Sequence, residues 1–335
     1  MSIYHKLLQQ EGRKLDLPAT GSWPASYHLL RKDEAHALIA ALASNRPLLV
    51  RGEPGVGKSQ LARAAACVLG RRFIASVIQP NTEHEELLWQ FDHTQRLADA
   101  QLFGALRKGD EQVDDIPDDE QPNDMPSIKD LQTPGRYIAP GPVWYALDWE
   151  TAEKQRCQHN YRPSEDKDAP NPVSEGVVLL IDEIDKADIS VSNGLLEVLG
   201  NGQFEVRHSG ETVRAKGKPP LMVLTTNNTR ELPPAMIRRC VILDLALPKE
   251  RALLIQRLCK VGATHYEDQL SKEDIFKAAE RIADDREACN ALPRTGQAEF
   301  LDLLAALAEL PADYPHDPFD ELADFFMKSK ASSLA

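Results

Sequence analysis

Residues 52–59 read Gly-Glu-Pro-Gly-Val-Gly-Lys-Ser, and no other stretch constrains this chain as tightly. The run fits G-x-x-x-x-G-K-[ST], a loop whose glycines let the backbone wrap an anion with its N–H groups pointing inward. Its flanks suit that role. Pro47-Leu48-Leu49-Val50 is short and apolar, as a buried strand requires, and 58–69 is rich in Ala and Leu and reads as a helix. A helix starting there adds unpaired N–H groups and a partial positive charge. The candidate nucleotide-binding set is Gly52, Glu53, Pro54, Gly55, Val56, Gly57, Lys58, Ser59 and Gln60. Lys58 would reach the outer phosphates, and the Ser59 hydroxyl would ligate Mg²⁺.

Two more strands end in chemistry that such a loop needs. Val177-Val178-Leu179-Leu180-Ile181 is too apolar for a sheet edge, and it runs into Asp182-Glu183. At the C-terminal end of a parallel strand, Asp182 can hold the Mg²⁺ shell and Glu183 can polarise an attacking water. Leu221-Met222-Val223-Leu224-Thr225-Thr226 is a second buried strand and ends in Asn227-Asn228. An amide at that point can orient the water between Glu183 and a γ-phosphate.

Size and charge narrow the function classes. The chain has 335 residues, which favours two domains. Its net charge is −13, which argues against tight sequence-independent binding to nucleic acid. The five cysteines contain no C-x-x-C pair and read as free thiols in a reducing cytoplasm. No apolar run approaches membrane-spanning length, and the N-terminus has no apolar signal core, so a cytoplasmic protein is expected.

Along the chain, residues 1–25 carry Pro18, Gly21 and Pro24 and read as an irregular N-terminal arm. A helix is expected over 33–43, a strand over 72–78, and helical spacing over 83–106. Residues 109–130 are acidic and proline-bearing and read as a loop. A second polar loop is expected over 154–174. Val241-Ile242-Leu243 begins a fifth strand. Beyond it only helices are expected, over 251–258, 271–284, 295–310 and 319–328, with Ser271 and Asp274 fitting an S-x-x-D start. The fold class is therefore α/β: a five-stranded parallel phosphate-loop core, αβα in layers, followed by a C-terminal helical lid.

The order of these pieces resembles the AAA+ ATPases over about residues 30–310. It is most similar to the MoxR-type branch. Tyr137-Ile138-Ala139-Pro140-Gly141-Pro142-Val143 resembles that branch's F-x-x-x-P-G-P-hydrophobic segment, and Asp182-Glu183-Ile184-Asp185-Lys186-Ala187 its D-E-I-N-R-A. Leu195-Leu196-Glu197-Val198-Leu199 with Gln203-Phe204-Glu205-Val206, and Glu231-Leu232 through Arg239-Cys240, resemble two further runs. The resemblance implies that 52–59 is Walker A, with Asp182 and Glu183 as Walker B. Asn227 would be sensor 1, with Asn228 as the alternative. Arg239 would be an arginine finger reaching a neighbour's ATP site, with Arg238 as the alternative. Arg294 would be the sensor 2 arginine, in cis or in trans.

The implied domains are an arm at 1–25, a core at 26–248 and a lid at 249–335. The core would carry an insert at 82–140 and a β-hairpin at 203–216. The implied assembly is a homo-oligomeric ring, a hexamer, acting on a client protein through ATP and Mg²⁺, with a separate von Willebrand A-type adaptor. Asp185-Lys186 departs from the branch's N-R pair, and the acidic stretch lengthens the insert. Two rivals are a nucleic-acid motor of restriction type and a nucleotide-gated scaffold. Basic residues near the hairpin, Arg207, Arg214, Lys216 and Lys218, keep the first alive.

Other tempting patterns have plainer readings. Asp188-Ile189-Ser190-Val191-Ser192 matches a metal-dependent adhesion motif but falls where a helix would start, so it reads as a cap. His84 and His93 read as surface residues of a helix, and Trp89, Trp144 and Trp149 as packing anchors.

Overall fold

The computed structural model describes residues 3–109, 133–158, 173–288, 294–311 and 318–328. The N-terminal segment is ordered. Helix α1 (Ile3–Gln9) leads into an antiparallel hairpin of β1 (Lys14–Leu17) and β2 (Ser26–Leu29). This corrects the irregular arm read from Pro18, Gly21 and Pro24. Leu15 and Leu17 alternate into the core, and Arg63 donates to the Pro18 and Pro24 carbonyls at 2.8 and 2.9 Å. A tertiary partner thus supplies order that local propensity does not. Helix α2 (Lys32–Ser44) follows, its N-terminus held by the Glu34 carboxylate, which accepts the Arg31 N–H at 2.8 Å.

Next come β3 (Leu48–Arg51), α3 (Lys58–Leu69) and β4 (Arg72–Val77). The segment expected as one helix over 83–106 is broken. It forms α4 (His84–Leu88), β5 (Trp89–Phe91) and α5 (His93–Gly109). The break exists because β5 pairs antiparallel with β6 (Ile138–Pro140), from Trp89 opposite Pro140 to Phe91 opposite Ile138. A partner almost fifty residues downstream overrides the helical spacing of Leu87, Leu88 and Phe91. The acidic 109–130 stretch lies outside the described residues from 110 onward. Helices α6 (Pro142–Leu147) and α7 (Trp149–Gln158) follow, so 154–158 of the expected polar loop are helical, and 159–172 lie outside the described residues.

Strand β7 (Val177–Asp182) enters α8 (Ile189–Asn201), then the hairpin of β8 (Gln203–Val206) and β9 (Glu211–Arg214). Asp188 caps α8, accepting the Ser190 N–H at 3.0 Å. Strand β10 (Leu221–Thr226), helix α9 (Pro234–Arg239) and β11 (Val241–Asp244) complete the core. Among the described residues that follow are the helices α10 (Arg251–Tyr266), α11 (Lys272–Ala288), α12 (Gln297–Ala308) and α13 (Phe319–Phe326).

The five core strands lie in the order β11-β3-β10-β7-β4, all parallel. Because side chains alternate along a strand, the sheet feeds two separate cores. Leu48, Val50, Val178, Leu180 and Val223 pack with α2, α3 and the lid. Leu49, Leu179, Ile181, Met222 and Leu224 pack with α6, α8 and Trp144 on the opposite face. Burial on both faces explains why β7 and β10 read as continuous apolar runs. It also places the C-terminal ends of β3, β7 and β10 side by side, the position where open α/β sheets bind ligands. Among the described residues, no helix is long and apolar enough to cross a membrane.

Candidate active site

The loop after β3 turns through left-handed backbone at Gly55 and Gly57, with φ of 76° and 95°. A side chain is disfavoured at both. At Gly55 an added Cβ would also meet the Ala298 methyl at 2.5 Å, so the lid rests directly on this loop. Gly57 is the N-cap of α3, and the helix begins with Lys58. Only 7% of Lys58 is exposed. Its ammonium donates to the Gly52 and Glu53 carbonyls, both at 2.8 Å, and to Asn227 Oδ1 at 2.7 Å. Burial pulls its pKa below the ordinary lysine value, while Asp182, Asp185, Glu183 and Glu53 oppose that shift.

Asp182 ends β7, and its carboxylate accepts the Ser59 hydroxyl at 2.8 Å and the Thr225 hydroxyl. Glu183 sits in the left-handed region at φ 60°, costly for a residue with a side chain. Three contacts hold it there. Its N–H donates to Thr225 Oγ1 at 2.9 Å, its Oε1 accepts Asn227 Nδ2 at 3.1 Å, and its Oε2 pairs with Lys186 Nζ at 2.5 Å. Asn227 therefore bridges Lys58 and Glu183 with the two ends of one amide. Asn228 turns away: its N–H donates to Thr226 Oγ1, and it does not line the cleft.

Asp185 is 2% exposed and fixes this turn. It accepts the Thr229 hydroxyl at 2.5 Å, the Thr229 N–H at 3.0 Å and the Asn227 N–H at 3.4 Å. Burial alone would raise its pKa, but the Thr229 and Asn227 hydrogen bonds hold it below the ordinary value. Sequence reading missed Thr225, Asp185 and Lys186 as members of the site. A polar Thr at the end of an otherwise apolar strand was the one available signal for Thr225. Asp185 and Lys186 stood out only as departures from the N-R pair.

These groups open into one cleft of about 880 Å³. Pro54 to Gln60, Asp182, Glu183 and Asn227 form its floor. One wall is the N-terminal hairpin, with Trp23, Tyr27 and His28; the other is the lid, with Arg257, His265 and Gln297. Tyr27 and His265 meet edge to face at 5.5 Å. Burial, then Lys14 and His28, push the His265 pKa down to about 4. Gly52 and Glu53 lie behind the floor and are not part of the lining. Arg239, at the end of α9, and Arg294, ahead of α12, are exposed and do not line the cleft. The structure thus brings together the phosphate loop, Asp182, Glu183 and Asn227, and leaves both arginines outside.

A parallel sheet with a phosphate loop, an acid pair and a polar strand end meeting under a helical lid defines an AAA+ ATPase fold. Residues 47–240 match the AAA domain family of the dynein-related subfamily, more than half of the chain, and the protein belongs to that family. It is an ATPase. Two variant structures of RuvB from Thermotoga maritima are similar, each at 16% identity over 89% of this chain. They cover 67% and 68% of the RuvB chains, with TM-scores of 0.40 and 0.41. No curated protein sequence matches the chain significantly.

Proposed function

We propose that this chain is a MoxR-like AAA+ ATPase that assembles into a hexameric ring in the cytoplasm and remodels or activates a client protein, with a separate von Willebrand A-type adaptor. The observation that carries the nucleotide chemistry is the Asn227 amide, held between Lys58 and Glu183 at hydrogen-bonding distance from both. An ammonium, an amide and a carboxylate so joined at one point in the cleft support Asn227 as the amide that orients water and Glu183 as the base.

The residues present fit ATP and Mg²⁺. A glycine cradle faces a buried lysine whose acceptors are two backbone carbonyls and an amide, and a hydroxyl lies against a carboxylate as a magnesium site requires. Ser59 and Asp182 would hold Mg²⁺, which neutralises phosphate charge when bound. The loop N–H groups from Gly55 to Gln60 and the Lys58 ammonium bind and orient the phosphates. Glu183 takes the proton from water that Asn227 orients. Arg239 is exposed on the core's surface, free of the cleft of its own chain, and reaches a neighbouring subunit's site in the ring. Arg294 contributes a further cation from the lid, in cis or in trans.

The client-facing reading rests on the insert and the hairpin. His208 at the hairpin tip stacks on Phe91 at 4.2 Å, and Arg207 pairs with Glu85 at 2.9 Å. The ring stack and the ion pair join the two elements. A nucleic-acid motor is less well supported. Arg207, Lys216 and Lys218, three of the cations that would track a phosphate backbone, each hold a carboxylate, from Glu85, Glu150 and Glu175.

Glu183→Gln tests the reading. It keeps ATP binding, because Lys58 remains, and loses turnover by about 10²–10⁴-fold, the usual contribution of a general base. A pull-down with this variant in ATP captures a client protein. Wild-type turnover by Glu183→Gln, or turnover stimulated by DNA, contradicts the proposal.

A further inference from the structure

The lid makes a specific charged contact with the phosphate loop, and it is not made by Arg294. Glu53 follows the first glycine of the loop, and its carboxylate accepts from Arg286 Nη2 at 2.9 Å. Arg286 lies near the end of α11, 233 residues away in sequence. Its other arm donates to the Thr295 carbonyl at 2.6 Å, in the segment that starts α12. The arginine thus spans two lid segments and the loop.

Both ends of this bridge are firmly held. On the lid side, Thr295 is fully buried, and its hydroxyl donates to Asp285. The Lys328 N–H donates to Asp285 at 3.1 Å and to Thr295 Oγ1 at 3.0 Å, which ties the C-terminal segment into the same knot. On the loop side, the Glu53 carbonyl is itself one of the three acceptors of Lys58. The peptide oriented by the Arg286–Glu53 pair is therefore a peptide that places the phosphate-binding ammonium. The pair is 12% and 36% exposed at the side chains, so it is partly shielded from solvent. Close packing beside it leaves little slack, since Ala298 abuts Gly55.

We propose that Arg286 is a positioning residue that couples the lid to the phosphate loop through Glu53. It does not line the cleft. When Lys58 exchanges its carbonyl acceptors for phosphate oxygens, the Glu53 peptide is released from one partner, and the Arg286 bridge carries that change to the start of α12. The inference rests on the reading of the cleft as the ATP site.

The test uses the full chain and four variants: Glu53→Gln, Arg286→Ala, Arg286→Lys and the Glu53→Gln/Arg286→Ala double. ATP KM and kcat are measured for each, with hydrogen exchange over 294–308 in the absence of nucleotide. Removing a partly shielded charged hydrogen bond raises KM by about three- to tenfold, with a smaller effect on kcat. Exchange at the start of α12 quickens in the same variants, Arg286→Lys recovers part of both effects, and the double variant is no worse than Arg286→Ala. Should Arg286→Ala fail to fold, Glu53→Gln alone reads the same coupling with nearly unchanged volume. Wild-type KM and exchange in Glu53→Gln, or strictly additive effects in the double, overturn the proposal. A wild-type protein that does not bind ATP defeats the nucleotide reading instead, while the exchange measurement still judges the bridge.

Discussion

Thr225 does more for the site than its residue type suggests. Its hydroxyl donates to Asp182 and accepts the Glu183 N–H, so it ties together the two acids proposed to hold the metal and to activate water. It also helps keep Glu183 at a positive φ that nothing local favours. Thr225→Val preserves shape but leaves the partly buried Glu183 N–H without this acceptor and takes one of two hydroxyl donors from Asp182 Oδ1, which keeps Ser59, a loss of about 1–3 kcal/mol in stability. We expect a lower denaturation midpoint together with reduced kcat, measured on the same preparation; unchanged kcat would show that Glu183 is held without it. The core of the site was legible in the sequence because a phosphate loop depends on glycines and one lysine at fixed spacing. Asp182, Glu183 and Asn227 were legible because apolar strands end in them. Thr225, Asp185, Lys186, Arg286 and His265 were not, since each acts through partners that only the fold brings near.

At the scale of elements, the N-terminal hairpin and helix α10, the two walls of the cleft, meet at Tyr27 and His265. His265 is half-buried, and that burial, with Lys14 and His28 adding like charge, lowers its pKa from 6.5 to about 4. The sign follows from linkage. Above pH 6.5 both folded and unfolded forms are neutral there, and stability is full. Between 6.5 and about 4 the unfolded chain takes up a proton that the folded one refuses, so stability falls. Below about 4 both are protonated, and this group adds no further loss. His265→Asn removes that titration, and its melting temperature declines less steeply from pH 6.5 to 4 than the wild type's; parallel curves would deny His265 the role. The hairpin itself was not legible, because Pro18, Gly21 and Pro24 speak for turns while Arg63 and the core hold the strands. The insert's β5 was hidden for a similar reason, its helical spacing yielding to a distant strand partner. The insert holds none of the residues proposed for catalysis. Deleting 110–130 is therefore expected to leave basal ATP hydrolysis close to the wild-type rate. Loss of hydrolysis in a folded deletion variant would make the insert part of the motor.

For the whole molecule, the sheet order and two-sided burial explain why the main architecture could be read from apolar runs. Fully buried parallel strands announce themselves, and among the described residues after Asp244 the regular elements are helices, as the sequence suggested. Assembly is not written in the same way. The cleft of a single chain gathers Lys58, Ser59, Asp182, Glu183 and Asn227 and leaves Arg239 on the surface. Transition-state charge on a transferring phosphoryl group calls for a further cation, and an arginine finger contributes about 10³–10⁵ in rate. A ring in which each chain lends Arg239 to its neighbour meets that need. The direct measurement is ATP turnover in mixtures of Arg239→Ala and Glu183→Gln chains, with mixed assemblies verified by native mass. Each variant alone is expected to be nearly inactive. Mixed rings regain turnover, because some interfaces pair an intact Arg239 with an intact Glu183. Verified mixed rings that stay as inactive as either parent would contradict a site shared between subunits.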